Sequence, residues 1–280
     1  MRLRSPWICA LALALPAAAS DDPPQIGVPA AGISSSPEPL VAFAFEPSTP
    51  GPHAAVVMLH GCGGAYGRAG TLNPRHRMWG EFLAGNGYVA LMLDSFSSRG
   101  VKEICTQKFS ARTLKEADRV GDAYAALAFL RTRKDIDPKR IAVLGWSHGG
   151  GVVLSTITQK HDPGFARAVS FYPGCTSRSK RAGEFHPYAP LLVLMGESDD
   201  WTPAAPCHVL ADAVRARGEP MELVAYPDTY HDFDNPAIAK RVRSDVPNGV
   251  HPGQGVTVAP NPQAREDAKK RVLEFFGEMK

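Results

Sequence analysis

Leu144-Gly145-Trp146-Ser147-His148-Gly149-Gly150-Gly151 stands between two apolar runs, Ile141 to Leu144 before it and Val152 to Ile157 after it. That order reads as strand, sharp turn and helix. The pattern is G-x-S-x-G, and glycines at 145 and 149 lack the Cβ that would hold strand and helix backbones apart, so Ser147 can take a strained conformation at the tip. A serine hydroxyl is a poor nucleophile in water. It needs exposure, a base, and donors for the oxyanion that forms when it attacks a carbonyl. The turn supplies the exposure, and the backbone N–H of His148, opening the helix, has no intrahelical acceptor and can face an oxyanion. Chance produces G-x-S-x-G in roughly one chain of this length in ten, with glycine near 7% of residues, and a serine there can simply cap a helix. The surrounding chain has to decide between the two.

Outward from this stretch, apolar segments alternate with helical ones. Strands are expected at Leu40 to Phe45, His53 to Leu59, Tyr88 to Leu93, Phe165 to Tyr172, Leu191 to Met195 and Met221 to Tyr226, with the elbow strand starting at Ile141. Helices are expected at Arg75 to Ala84, stopped by Gly85-Asn86-Gly87, and over roughly twenty residues carrying Leu114, Ala117, Tyr124, Leu127, Phe129 and Leu130 near one face. Two more follow, from Ala204 to Arg217 and from Gln263 to Met279. Strands that are apolar throughout imply an α/β protein with a mostly parallel sheet and helices on both faces. No internal repeat or linker divides the chain, so residues 40–280 read as a single domain. Residues 21–39, rich in proline, serine and glycine, read as a disordered lead-in.

At 280 residues and 44% hydrophobic the chain can bury a sizeable core, which excludes disorder as a whole. Residues 1–20 combine a basic start, an apolar run from Trp7 to Leu15, and Ala17-Ala18-Ala19-Ser20 before Asp21-Asp22. They read as a secretory signal peptide. A spanning anchor needs about 20 apolar residues and the run is near half that, so no stable membrane anchor is expected, and the mature chain is expected to be periplasmic or secreted. Without Arg2 and Arg4 the balance is 29 basic against 28 acidic residues, and no basic stripe points to nucleic acid. Four cysteines remain beyond the leader: Cys62, Cys105, Cys175 and Cys207. An even number in an oxidising compartment suggests two disulfides, whereas metal binding would call for C-x-x-C or H-x-x-x-H spacing, which is absent.

In open parallel sheets, ligands bind at the carboxyl ends of the strands. Ser147, Asp199 and His231 each follow such an end, in the chain order nucleophile, acid, base. A neutral imidazole at His231 can take the serine proton and return it to the leaving group, and a carboxylate fixes its tautomer. Asp200 competes with Asp199 for the acid. It lies nearer the helix at Ala204, where a negative charge suits the helix start, so Asp199 is the expected orienter. The second oxyanion donor is expected from His60-Gly61-Cys62-Gly63-Gly64, with the Cys62 N–H as the choice and His60 as a packing and hydrogen-bonding residue. That loop lacks the G-K-[ST] ending of a phosphate-binding loop. His231 with Asp232 could ligate a metal, but no third ligand accompanies them, so none is expected. Tyr66, Trp146 and Trp201 are expected as substrate-pocket walls, although aromatic residues near a sheet end also serve as core.

With these motifs in place, the chain resembles the dienelactone hydrolase family. The resemblance rests on His60 to Gly64, Gly145 to Gly150, Gly196-Glu197-Ser198-Asp199-Asp200-Trp201-Thr202-Pro203, and Tyr226 to Phe233 with His231. It implies an α/β-hydrolase fold with a sheet of about eight strands, a Ser or Cys/Asp/His triad, no cofactor, and hydrolysis of esters or lactones as small-molecule substrates. Ser147 stands where the namesake enzymes use cysteine, and Gly61 where they carry glutamate. The resemblance also makes neighbours of the strands preceding each pair of cysteine loops, which implies bridges Cys62–Cys105 and Cys175–Cys207. A serine peptidase or thioesterase of the same fold, and a non-catalytic periplasmic binding protein, are the alternatives. The complete triad disfavours the binding protein.

Overall fold

A computed structural model describes residues 22–159 and 161–279. The expected signal peptide, residues 1–20, lies outside the described residues. Ten strands and six α-helices follow in chain order: β1 Gln25–Val28, β2 Leu40–Phe45, β3 His53–Leu59, α1 Pro74–Gly85, β4 Tyr88–Asp94, α2 Val120–Thr132, β5 Ile136–Trp146, α3 His148–Thr156, β6 Arg167–Phe171, α4 Thr176–Ser179, β7 Leu191–Gly196, α5 Ala204–Ala216, β8 Met221–Tyr226, β9 Arg241–Arg243, β10 Val256–Val258 and α6 Pro262–Gly277. Eight strands form one sheet in the order β1-β2-β4-β3-β5-β6-β7-β8, in which β2 is antiparallel to both its neighbours, β1 and β4, and every other pair is parallel. This is the α/β-hydrolase architecture, with helices on both faces.

The central strands owe their place to continuous apolar sequence. Residues 54–59 of β3, 89–93 of β4 and 191–195 of β7 are buried along their whole length, as strands covered on both faces must be. At the edge, β8 leaves Glu222 in solvent and half-buries Leu223, Val224 and Ala225. Among the described residues no helix is long and apolar enough to cross a membrane.

Three sequence expectations give way to tertiary contacts. The lead-in is not disordered from residue 22 onward: Gln25–Val28 pairs with β2, and Asp22 accepts the Leu72 N–H and pairs with Arg77. Ser34 donates to Asp122 at the start of α2, where Gly121 leaves room for the Ile33 carbonyl. The expected twenty-residue helix is shorter. Its first part is a 3-10 turn, Ala117–Arg119, and Leu114 packs with Cys62, Cys105 and Phe96 instead. The elbow strand, expected from Ile141, starts at Ile136, because His53 of β3 pairs with that residue across an irregularity.

Asp122 is the fastening of the lead-in, since it also takes two hydrogen bonds from Arg99 and is fully buried. Removing one partner of a buried pair strands the other. Asp122→Ala is expected to lower unfolding free energy by about 3–5 kcal/mol. Urea midpoints would check this, with a loss below about 1 kcal/mol showing that the pair behaves as a surface one.

Candidate active site

Helix α3 starts so close to the sheet that glycine is required at the contact. A Cβ on Gly149 would collide with the carbonyl oxygens of Leu59 and His60, and one on Gly145 with the carbonyl of Gly149. Ser147, held between them, has φ 53° and ψ −114°, a conformation that costs a non-glycine residue about 1–3 kcal/mol and persists only where its surroundings impose it. Its N–H is tied to the Phe171 carbonyl at 2.9 Å and its carbonyl accepts from Gly151 at 2.8 Å. The side chain lines a cleft of about 350 Å³ at the carboxyl end of the sheet, together with His231, Cys62 and Trp201.

His231 follows β8 in a buried loop, its ring between Tyr172 and Trp201 at 4.5 and 4.6 Å. Its Nδ1 lies 2.7 Å from Asp199 Oδ2, so the Nδ1–H donates to the carboxylate and Nε2 is left as the basic nitrogen. Asp199 is fixed in turn: Oδ1 accepts the backbone N–H groups of Trp201 and Thr202, both at 2.8 Å. The Thr202 hydroxyl lies 3.0 Å from Asp199 Oδ2, from His231 Nδ1 and from the Tyr172 carbonyl. Burial works against a charged imidazole here, but the charge of Asp199, its hydrogen bond and the charge of Asp232 outweigh burial and raise the His231 pKa above its ordinary value.

Asp200 serves elsewhere. Its carboxylate accepts the Thr257 N–H and hydroxyl, both at 2.7 Å, and its carbonyl accepts from Val250. It thereby anchors the segment carrying β9 and β10, which forms a low roof beside the cleft and packs Val246, Val256 and Val258 on Trp201 and the Cys62 loop. Both bridges form as paired from the resemblance, Cys62–Cys105 across 43 residues and Cys175–Cys207 across 32. The Cys62 N–H meets no acceptor among the described residues, and His148 occupies the first position of α3, where a helical N–H has none within the helix. His60 is a hydrogen-bonding core residue: Nδ1 donates to the Gly61 carbonyl and Nε2 accepts from the Ser95 N–H.

Of the three expected pocket walls, only Trp201 lines the cleft with Ser147. Trp146 is wholly buried, and its indole N–H donates to Asp234 at 2.8 Å. Trp146 is the last residue of β5, a central strand covered on both faces whose residues 141–146 are all buried, so its side chain enters the core. Tyr66 packs edge-on against Phe43 and lines a neighbouring cleft with Asp94 and Phe96.

Several participants escape sequence reading. Arg75 of α1 is buried, donates to Asp232 and to the Tyr172 hydroxyl, and lines the cleft. Tyr172 donates to Asp234, which also receives the Trp79 and Trp146 indoles. Burial opposes ionisation of Asp232, and Arg75 and His231 more than offset it, lowering its pKa. Thr202 was visible as part of a motif but not as a contact. Arg75 and Asp234 had no signal, because Arg75 lies 97 and 157 residues from Tyr172 and Asp232, and Asp234 lies 62, 88 and 155 residues from Tyr172, Trp146 and Trp79.

A dienelactone hydrolase family model matches residues 40–280, and the chain belongs to that family. Among curated proteins it is 26% identical over 165 residues to an assigned carboxymethylenebutenolidase of Methylorubrum extorquens, covering 54% of this chain and 55% of that one. The chain thus matches about half the length of that relative. An assigned dienelactone hydrolase from Klebsiella pneumoniae superposes with TM-score 0.70 at 19% identity, covering 91% of this chain and 98% of the other. Thermogutta terrifontis esterase 2, in a form phosphoramylated by tabun, superposes with TM-score 0.62 at 20% identity, covering 88% and 92%. These structural likenesses establish the fold.

The different partners of the two aspartates separate their roles. Asp199→Ala is expected to lower kcat by about 10³- to 10⁴-fold, and Asp200→Ala by less than about tenfold while loosening the roof. Steady-state assays of both variants on one ester decide the matter. The reverse order would transfer the acid to Asp200.

Proposed function

We propose that this chain is a serine hydrolase that cleaves small carboxylic esters or lactones through an acyl-enzyme on Ser147. The observation that carries the reading is that His231, held by the buried Asp199, lines one cleft with a serine in a strained turn. His231 Nε2 takes the Ser147 proton as Oγ attacks the carbonyl carbon, and the negative charge moves to the carbonyl oxygen facing the Cys62 and His148 N–H groups. Collapse of this adduct breaks the ester C–O bond, and the imidazolium returns its proton to the leaving alkoxide. Water repeats the sequence on the acyl-enzyme, releasing the acid and restoring Ser147. No cofactor enters these steps.

Substrate class follows from the lining. Arg68, Arg75, Arg241 and Arg243 line the cleft; Arg75 pairs with Asp232, the one acidic wall residue among the described residues, and Arg243 pairs with Asp245, so the excess positive charge of the wall comes from Arg68 and Arg241. An ester or lactone that also bears a carboxylate is therefore favoured over a neutral one of equal size. Two bridged cysteine pairs support an oxidising, exported location.

The test pairs neutral and acid-bearing esters on the parent and on Ser147→Ala, with fluorophosphonate labelling in parallel. Expected are a lower KM for the acid-bearing ester, a label on Ser147 in the parent alone, and at least about a 10⁴-fold loss of kcat in the variant. Activity retained by Ser147→Ala would overturn the mechanism.

The raised His231 pKa sets the pH response. Because the protonated ring cannot act as base, kcat/KM is expected to rise with pH through a midpoint above about 6.5, the ordinary histidine value. A profile flat across that range, or a midpoint below it, would remove His231 as the base.

A further inference from the structure

Arg119 is fully buried where the end of β3 meets the start of α3. Its Nη1 donates to the His60 carbonyl oxygen at 3.0 Å and to His148 Nδ1 at 2.9 Å. Those two residues belong to the two segments that supply the oxyanion donors: His60 lies two residues before Cys62, and His148 carries the second N–H itself. A guanidinium has donors only, so His148 Nδ1 must accept, which puts the ring proton on Nε2. Burial and then the charge of Arg119 keep the His148 ring neutral. The guanidinium also lies over Phe96 at 5.1 Å, and Phe96 packs against both imidazoles, His60 at 4.4 Å and His148 at 6.5 Å.

This arrangement is a poor way to gain stability. A buried guanidinium is costly unless its donors and its charge are matched. Arg119 Nε and Nη2 have no acceptor among the described residues. The carboxylate that most favours its charge, Asp122, is itself held by Arg99 at 2.8 Å. A residue under selection for packing alone would complete its hydrogen bonds or be apolar. A residue that must grip two segments and leave positive charge behind an oxyanion needs these features.

We propose that Arg119 is the positioning residue of the oxyanion hole: by tying the His60 carbonyl to the His148 ring it fixes the spacing between the Cys62 and His148 N–H groups and supports them with a charge that makes no direct ion pair among the described residues. The inference rests on the acyl-transfer reading above. Oxyanion donors act by being in place before charge develops, and the Cys62–Cys105 bridge secures the Cys62 loop alone. Nothing but Arg119 links that loop's entry to the His148 side chain by hydrogen bonds among the described residues.

The experiment compares the parent with Arg119→Met, Arg119→Lys and His148→Phe. The last variant retains the backbone N–H while deleting the ring nitrogen that Arg119 grips. For each, kcat and KM are measured on one ester, together with the affinity for a trifluoromethyl ketone, which forms a tetrahedral adduct, and for the carboxylic acid product, which does not. Expected in Arg119→Met and His148→Phe is a fall in kcat of about 10- to 100-fold, less than the loss of a whole donor. KM and product affinity should stay within about twofold, and ketone affinity should fall in step with kcat/KM. Arg119→Lys, which keeps the charge but not the double grip, should fall between. If Arg119→Met does not fold, His148→Phe carries the same test from the other end of the contact. Ketone and product affinities falling together would reduce Arg119 to a packing residue. A parent that is active and takes the fluorophosphonate label, with every variant within twofold of it, overturns this proposal alone. A parent that neither turns over ester nor takes label removes the acyl-transfer reading and this inference with it.

Discussion

The start of α3 against the end of β3 is the contact on which the site depends. A Cβ on Gly149 would strike the carbonyls of Leu59 and His60, and one on Gly145 the carbonyl of Gly149, so only glycine at both positions lets the helix start this close to the sheet. From that approach follow the positive φ of Ser147, the direction of the His148 N–H and the position of the Cys62 loop beside both. Close packing spends conformational freedom at one residue to hold three groups in register. The cost falls where the rest of the sheet, with its continuous apolar strands, can bear it.

Beneath the cleft lies a polar network that keeps the histidine loop in place. Asp234 gathers the Trp79 and Trp146 indoles and the Tyr172 hydroxyl, while Arg75 spans Tyr172 and Asp232. Burial raises the Asp234 pKa, with Arg75 and Tyr172 acting against it. Such a cluster contributes little net stability relative to an apolar core of the same volume, but removing one member leaves others buried and unpaired. Its effect is geometric. Asp232 and Asp234 flank Phe233 immediately after His231, so the loop bearing the base is fixed on both sides of its turn.

The roof completes the cleft from a different part of the chain. Asp200 holds Thr257, Asn248 bonds the backbone at Phe109 and Gln107, and Val246, Val256 and Val258 close a small apolar cluster with the Cys62–Cys105 loop. Arg241 and Arg243 of β9 reach the cleft from this roof. Two of the four arginines that line the cleft therefore come from a surface hairpin, while Ser147 and His231 stand at the carboxyl end of the sheet.

Much of this was written in local sequence. Period, punctuation and apolar runs located the seven central and flanking strands, and the elbow, Asp199, His231 and the Cys62 loop all followed predicted strand ends, because a parallel sheet gathers its carboxyl ends at one edge. The cysteine pairing needed the resemblance to supply strand order. Other features lay beyond sequence because they are contacts between distant segments. β1 forms only where β2 offers an edge, Leu114 leaves its helical pattern for a cluster around a disulfide, and Trp146 is buried with its indole on Asp234, 88 residues away. Sequence already preferred Asp199 to Asp200 but gave Asp200 to the helix start, whereas its partner is Thr257, 57 residues away. Arg119, one charged residue at a helix start, has no local mark at all: its meaning lies in His60 and His148, which only the packed sheet brings to a single guanidinium nitrogen.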